Sequence, residues 1–202
     1  MAAAGALVAA AAVQPAAAHS LPLGDGKVKT QPRAGNIYSC QTSFGGGGAH
    51  RVGDWVDGDS WNPDEKPVVS GDVDWPNARI DVTRQGDTRI VSANNLPLHE
   101  TGTFPIPRSD EAYAYDRNPN SIRAQDILLR LPAEPERADS PTCVPMGMIG
   151  FALSGVAIYN ALDAMGRDAP AYEIQDKCNG HPQRSGQYHY HDWSGCLTDN
   201  RS

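Results

Sequence analysis

The sequence predicts a mainly β fold: a compact sandwich- or barrel-like domain of short strands, with one short helix and disulfides. Its 202 residues include 20 Gly and 16 Pro, which favours many turns and short elements over long helices. Residues 79–84 and 88–92 carry the alternating polar and apolar side chains of a β-hairpin, with a turn at Gln85-Gly86-Asp87. The sequence has no heptad run and no clear internal repeat, and its length fits one domain.

The other predicted elements are short apolar runs separated by Gly and Pro. Four successive glycines, Gly45 to Gly48, predict a flexible loop, and the absence of a following Gly-Lys-Ser/Thr argues against a phosphate-binding loop. The predicted elements are a strand at 37–42, a buried strand at 127–131 ended by Pro132, a second hairpin from 149–153 and 156–159, and a helix at Arg167–Lys177 with Asp168 as its N-cap.

The N-terminal residues have the composition of an export signal. Residues 1–18 are almost entirely Ala, Val, Leu and Gly and end in Ala16-Ala17-Ala18, the small residues that signal peptidase accepts. We therefore expect a signal peptide at 1–18, incomplete at its basic start, and a mature domain at 19–202. The expected location is secreted or periplasmic, with no membrane segment in the mature form. The net charge of −7, with acidic and basic residues interspersed, excludes a typical nucleic-acid-binding surface.

The cysteine count agrees with export. Four cysteines form an even set, as expected for disulfides in an oxidising compartment. Three pairings are possible, and we favour Cys178 with Cys196, because it closes a short loop, which leaves Cys40 with Cys143. The short loop would contribute about 3 kcal/mol in the chain-entropy model.

A histidine cluster lies inside that loop and is the strongest functional signal. In a strand, side chains at alternate positions share a face, so His189 and His191 would lie on one face and Tyr188 and Tyr190 on the other. With His181, these imidazoles predict a transition-metal site, and neutral imidazole suits copper or zinc better than magnesium or calcium. Asp176 or Asp192 would orient a ring by accepting its second N–H. The alternative is a loop in which the three histidines form only hydrogen bonds.

Other arrangements of metal ligands stay open at this point. Cys178 and Cys196 could join the histidines in a zinc site if they were reduced. Cleavage after Ala18 would make His19 the first residue, and its amine and ring nitrogen together would suit Cu(II). His50 and His99 are isolated in sequence and predict surface or core positions, although His99 could complete a site from a distant strand.

The same segments resemble the YHYH-domain family of mostly secreted microbial proteins. The resemblance is carried by 150–160, Gly166-Arg167-Asp168-Ala169, 176–182 and 186–191, with further matches at 19–25 and 116–120. It covers nearly the whole mature chain but implies no particular activity. Family members usually continue into a second segment similar to 150–191, so we expect this chain to be a short form or a fragment.

The sequence does not decide whether the protein is an enzyme. Neither a Gly-x-Ser-x-Gly nucleophile motif nor a His-Glu-x-x-His motif is present. The leading prediction is metal binding of undetermined activity, and a metal-dependent hydrolase or oxidase is one alternative. The other is an extracellular interaction or carbohydrate-binding module that uses Trp55, Trp61 and Trp75. A protein or glycan partner is not identified.

Overall fold

The computed structural model describes residues 19–197, so the predicted signal peptide at 1–18 lies outside the described residues. The predicted mainly β class, with one short helix and two disulfides, is confirmed. The strands are β1 Leu21–Pro22, β2 Val28–Lys29, β3 Ile37–Tyr38, β4 Val56–Asp57, β5 Ser60–Trp61, β6 Ile80–Gln85, β7 Thr88–Ala93, β8 Ile127–Pro132, β9 Met148–Phe151, β10 Ala157–Tyr159, β11 Gly180–Pro182 and β12 Tyr188–Tyr190. The helix α1 is Ala169–Tyr172, and 3-10 turns occupy Glu111–Ala114 and Gly195–Leu197.

Within residues 19–197 the strands form four small sheets. Both predicted hairpins are present, because β6 pairs antiparallel with β7 and β9 pairs antiparallel with β10. The sheet that carries the histidines has the order β11-β12-β10-β9, with β12 parallel to β10 and antiparallel to β11. Asn95 links the parallel strands, since its Nδ2 donates to the Tyr188 carbonyl and its Oδ1 accepts from the Ala157 amide.

Two clusters of buried apolar side chains form the core. The first surrounds Trp55 and Trp61, and the Trp55 indole N–H donates to the Ala171 carbonyl at 2.8 Å. The second contains Tyr188 and Tyr190 together with Val156. The histidine-bearing sheet is therefore supported from behind by buried aromatic rings.

Both predicted disulfides are formed. Cys178 pairs with Cys196 across 18 positions, and Cys40 pairs with Cys143 across 103. The first closes the loop that contains β11 and β12. The second joins the segment after β3 to the segment before β9. No helix in the described part of the chain has the length and apolar character needed to cross a bilayer.

Three predicted elements differ in the structure. The strand predicted at 37–42 covers only Ile37–Tyr38, followed by a single bridge from Ser39 to Val144. The helix predicted at Arg167–Lys177 covers only Ala169–Tyr172, because Glu173 is extended and the Gln175 carbonyl accepts instead from the Val69 amide. Asp168 is at the N-cap but does not cap the helix with its side chain, which accepts from the Gly24 amide. The strand predicted as buried, β8, is an edge strand that pairs only with β7, and its Leu128 and Leu131 side chains are exposed.

Candidate metal centre

Strands β11 and β12 bring the three predicted histidines together. His181 lies directly opposite His189 in the antiparallel register, and His191 follows two positions later on the same face as His189. The Nε2 atoms of His189 and His191 are 3.1 Å apart, which confirms the predicted shared face. All three side chains are buried, and one ligand atom from each lies within 4.8 Å of the others. These three histidines could hold a metal ion.

Backbone carbonyls determine which nitrogen of His189 and His191 is free. The His189 Nδ1 lies 3.1 Å from the Gln187 carbonyl, and the His191 Nδ1 lies 2.6 Å from the Asn160 carbonyl. A carbonyl only accepts, so each Nδ1 carries the proton in the neutral ring and each Nε2 presents a lone pair. Two lone pairs facing each other across 3.1 Å are unfavourable unless a cation or a proton lies between them.

The structure adds a carboxylate that the sequence did not indicate. Glu173, immediately after α1, places its Oε2 3.3 Å from the His181 Nε2 and 3.1 Å from the His191 Nε2. The sequence assigned Glu173 to the interior of a longer helix, so its position beside the histidines had no local signal. A tetrahedral ion with bonds of about 2.0 Å has neighbouring ligand atoms about 3.3 Å apart. Three of the six edges of such a coordination polyhedron, His189–His191, Glu173–His181 and Glu173–His191, therefore have the separations expected of it.

Several polar atoms of the cluster have no hydrogen bond. The Glu173 Oε2 and both ring nitrogens of His181 are buried without a hydrogen-bond partner. Buried polar atoms normally find a partner, because leaving one unsatisfied costs about 1–3 kcal/mol. A bound cation at the convergence point of the donors would satisfy Oε2 and one nitrogen of His181.

Electrostatic interactions and burial shift the pKa values of the cluster residues in different directions. Burial opposes ionisation of Glu173, but the charges of His181 and His191 outweigh it and hold the Glu173 pKa well below its usual value. Burial also favours neutral His181, yet Glu173 outweighs it and raises the His181 pKa. Burial, followed by the neighbouring histidines, lowers the His189 pKa well below its usual value. His189 is therefore neutral at pH 7 and offers its lone pair.

The predicted carboxylate partners of the rings are not where the sequence placed them. Asp176 is buried on the tyrosine side of β12, where its oxygens accept from the Tyr188 hydroxyl at 2.8 and 2.9 Å. Asp192 is exposed, and its Oδ2 accepts from the Asn179 amide. Neither bonds a ring nitrogen, because main-chain carbonyls already occupy the Nδ1 atoms of His189 and His191.

The cluster opens into a cavity of about 560 Å³. Glu173, His181, His189 and His191 all line it, so the cavity lies on their side of the sheet. Tyr159 forms part of the wall and stacks on His189 with ring centroids 3.9 Å apart. The glycine loop closes another side: a Cβ on Gly48 would lie 3.1 Å from the Glu173 Oε1. Glycine at 48 therefore leaves room for the carboxylate.

The other candidate ligands do not join this centre. His19 is exposed, and His50 is exposed on the cavity wall. His99 lies on the tyrosine side, with its Nε2 2.5 Å from the Tyr190 hydroxyl. Cys178 and Cys196 also approach His99, but their sulfurs are bonded to each other, which removes them as thiolate ligands.

The tryptophans proposed as a carbohydrate platform are core residues. Trp55 and Trp61 are buried in one core cluster, and Trp75 packs half-buried against the other. They do not form a common exposed surface. The exposed indole is that of Trp193, which is 71% accessible.

Comparisons of the chain with protein-family models, with curated proteins and with solved structures find no match. The chemistry assigned to the chain therefore rests on the geometry of the cluster.

Proposed function

We propose that this is an exported protein that binds one transition-metal ion, zinc or copper, through His181, His189, His191 and Glu173. The observation that carries the proposal is the 3.1 Å approach of the His189 and His191 Nε2 atoms while both Nδ1 atoms lie against backbone carbonyls. Three imidazoles and one carboxylate form a donor set that suits zinc or copper. Backbone support of the ring N–H is also the usual arrangement behind metal-bound histidine.

Export and family membership belong to the same proposal. The composition of residues 1–18 and the two disulfides support passage into an oxidising compartment. The residues that resemble the YHYH-domain family include the three histidines, so metal binding would give that motif a chemical role. The tyrosines of the motif would then be structural, because both are fully buried behind the strand.

The cavity favours a metal-dependent hydrolase or oxidase as the second candidate. If only the three histidines bound the ion, its fourth position would stay open, and the cluster borders a space large enough for a small molecule. A transition metal held there would supply Lewis-acid or redox chemistry. The chain would hold the ligands rigidly and exclude water from the buried side of the centre.

Elemental analysis of the protein purified from an exporting host tests the binding proposal. We expect close to one equivalent of zinc or copper in the wild type, and its loss in a His189→Ala/His191→Ala variant. A His19→Ala/His50→Ala variant is the matched control, because it removes the same number of imidazoles outside the cluster. Retention of metal in the cluster variant, or loss in the control variant, would contradict the proposed ligand set. Circular dichroism of each variant checks that the fold is intact.

A further inference from the structure

The mouth of the cavity carries two arginines that the metal proposal does not use. Arg117 and Arg184 both line the cavity and are exposed. Neither guanidinium has a hydrogen bond or an ion pair to another residue in 19–197. Arg117 also lies over the Tyr113 ring, 5.8 Å from its centroid. Both side chains are therefore available to a ligand.

Hydrogen bonds hold the two arginines on connected parts of the wall. Arg117 precedes Asn118, whose side-chain amide donates to the Pro182 carbonyl at the end of β11 at 2.9 Å. Arg184 lies in the turn that follows Pro182, which the Gln183 amide closes by donating to the Gln187 carbonyl. Because this turn joins β11 to β12, both arginines are tied to the strands that carry the histidines.

With a divalent ion in the histidine cluster, the other charges around the cavity would leave these arginines unopposed. Asp163 is neutralised by its ion pair with Arg167. Glu173 and the buried Asp116 together offset the charge of a divalent ion in the cluster. With that ion bound, the cavity would carry an excess of positive charge on a protein whose net charge is −7. Such a local reversal of sign attracts small anions and holds them where the field is concentrated.

We infer that the cavity binds a small organic anion, whose carboxylate or phosphate group is held by Arg117 and Arg184 against the metal centre. The inference rests on the proposed function, because the metal ion in the histidine cluster supplies the positive charge at that end of the cavity. Guanidinium groups hold carboxylate and phosphate oxygens through paired, charge-assisted hydrogen bonds. The cavity of about 560 Å³ accommodates a molecule of metabolite size. These arginines are therefore assigned to the selection of an anionic ligand.

Calorimetric titration of metal-loaded protein tests this inference. The probes are benzoate and phenyl phosphate, with benzamide as a neutral molecule of similar shape. We expect one or both anions to bind the wild type, and an Arg117→Gln/Arg184→Gln variant to bind them about tenfold or more weakly. An Arg130→Gln/Arg137→Gln variant loses the same charge away from the cavity and should match the wild type. The preferred probe distinguishes a carboxylate ligand from a phosphate ligand.

Metal content measured on the same samples separates the two proposals. Unchanged anion affinity in the Arg117→Gln/Arg184→Gln variant, or benzamide binding as tight as benzoate binding, would overturn the anion inference while the metal result stands. If the wild type holds no metal but benzoate binding still requires the arginines, the metal proposal is wrong and the arginine subsite is supported. Failure of wild-type protein with bound metal to bind either anion would also overturn the inference.

Discussion

Replacing Tyr188 by phenylalanine tests what the tyrosines of the histidine segment do. The Tyr188 hydroxyl donates to the buried Asp176 carboxylate, and both residues are fully buried. A hydrogen bond to a charged group contributes about 1.5–3 kcal/mol, and phenylalanine keeps the ring packing. At about 2–4 °C per kcal/mol for a chain of this size, we expect the melting temperature to fall by about 3–12 °C. Calorimetry at pH 7 with the disulfides intact measures the loss.

The loss should depend on pH. Burial raises the Asp176 pKa despite donors from Gly102, Tyr188, Cys178 and Gly180. Because the native carboxyl binds its proton more tightly than the unfolded one, ionisation of Asp176 lowers stability as pH rises through this pKa. Removing a donor to the carboxylate raises the pKa further. The stability that the Tyr188→Phe variant loses relative to the wild type should therefore be largest at pH 7 and should shrink as the pH falls towards 4.

Two comparisons isolate the charged hydrogen bond. Tyr159→Phe removes a hydroxyl that donates to the neutral Gln187 side chain at 2.6 Å, so it should cost only about 0.5–1.5 kcal/mol, with no such pH dependence. In an Asp176→Asn background, Tyr188→Phe should cost less than it does in the wild type. A loss at pH 7 below about 0.5 kcal/mol, or the same loss at both pH values, would refute the reasoning.

The remaining predictions concern the metal centre and its supports. Zinc or copper at one hundred times its dissociation constant should raise the unfolding free energy by about 2.7 kcal/mol in the wild type and not in the double histidine variant, as thermal denaturation would show. Glu173→Gln should weaken metal affinity by about tenfold or more in competition with a chromophoric chelator, whereas the exposed-site change Glu136→Gln should have no effect. Cys178→Ala/Cys196→Ala should cost about 3 kcal/mol in urea denaturation. Gly48→Ala should also lower metal affinity, because φ is +82° there and the new Cβ would press on the Glu173 Oε1; unchanged affinity would contradict that contact.

Local patterns in the sequence predicted the features that depend on neighbouring residues. The two hairpins follow from alternation around a turn, and the shared face of His189 and His191 follows from the strand period. The pairing of Cys178 with Cys196 follows from the short loop between them. Each of these features could be predicted because the residues involved are close along the chain.

Apart from the disulfide between Cys40 and Cys143, which followed by elimination, features decided by distant segments were not predicted. Glu173 reaches the histidines because α1 stops after four residues, and the bond from the Val69 amide holds the Gln175 carbonyl outside any helix. The acceptors of the ring N–H groups were misassigned to carboxylates, because strand alternation does not show that the Asn160 carbonyl lies beside His191. Non-local hydrogen bonds, not intrinsic propensity, determined these positions.

The disulfide between Cys178 and Cys196 also affects how the site would respond to proteolysis. Arg184 is exposed in the turn between β11 and β12, where a trypsin-like protease could cut. Such a cut would leave His181 on one fragment and His189 and His191 on the other, but the disulfide would keep the fragments covalently joined. Glu173 precedes Cys178 and stays with the first fragment. A single nick in the turn would therefore leave every donor of the cluster in one covalent molecule.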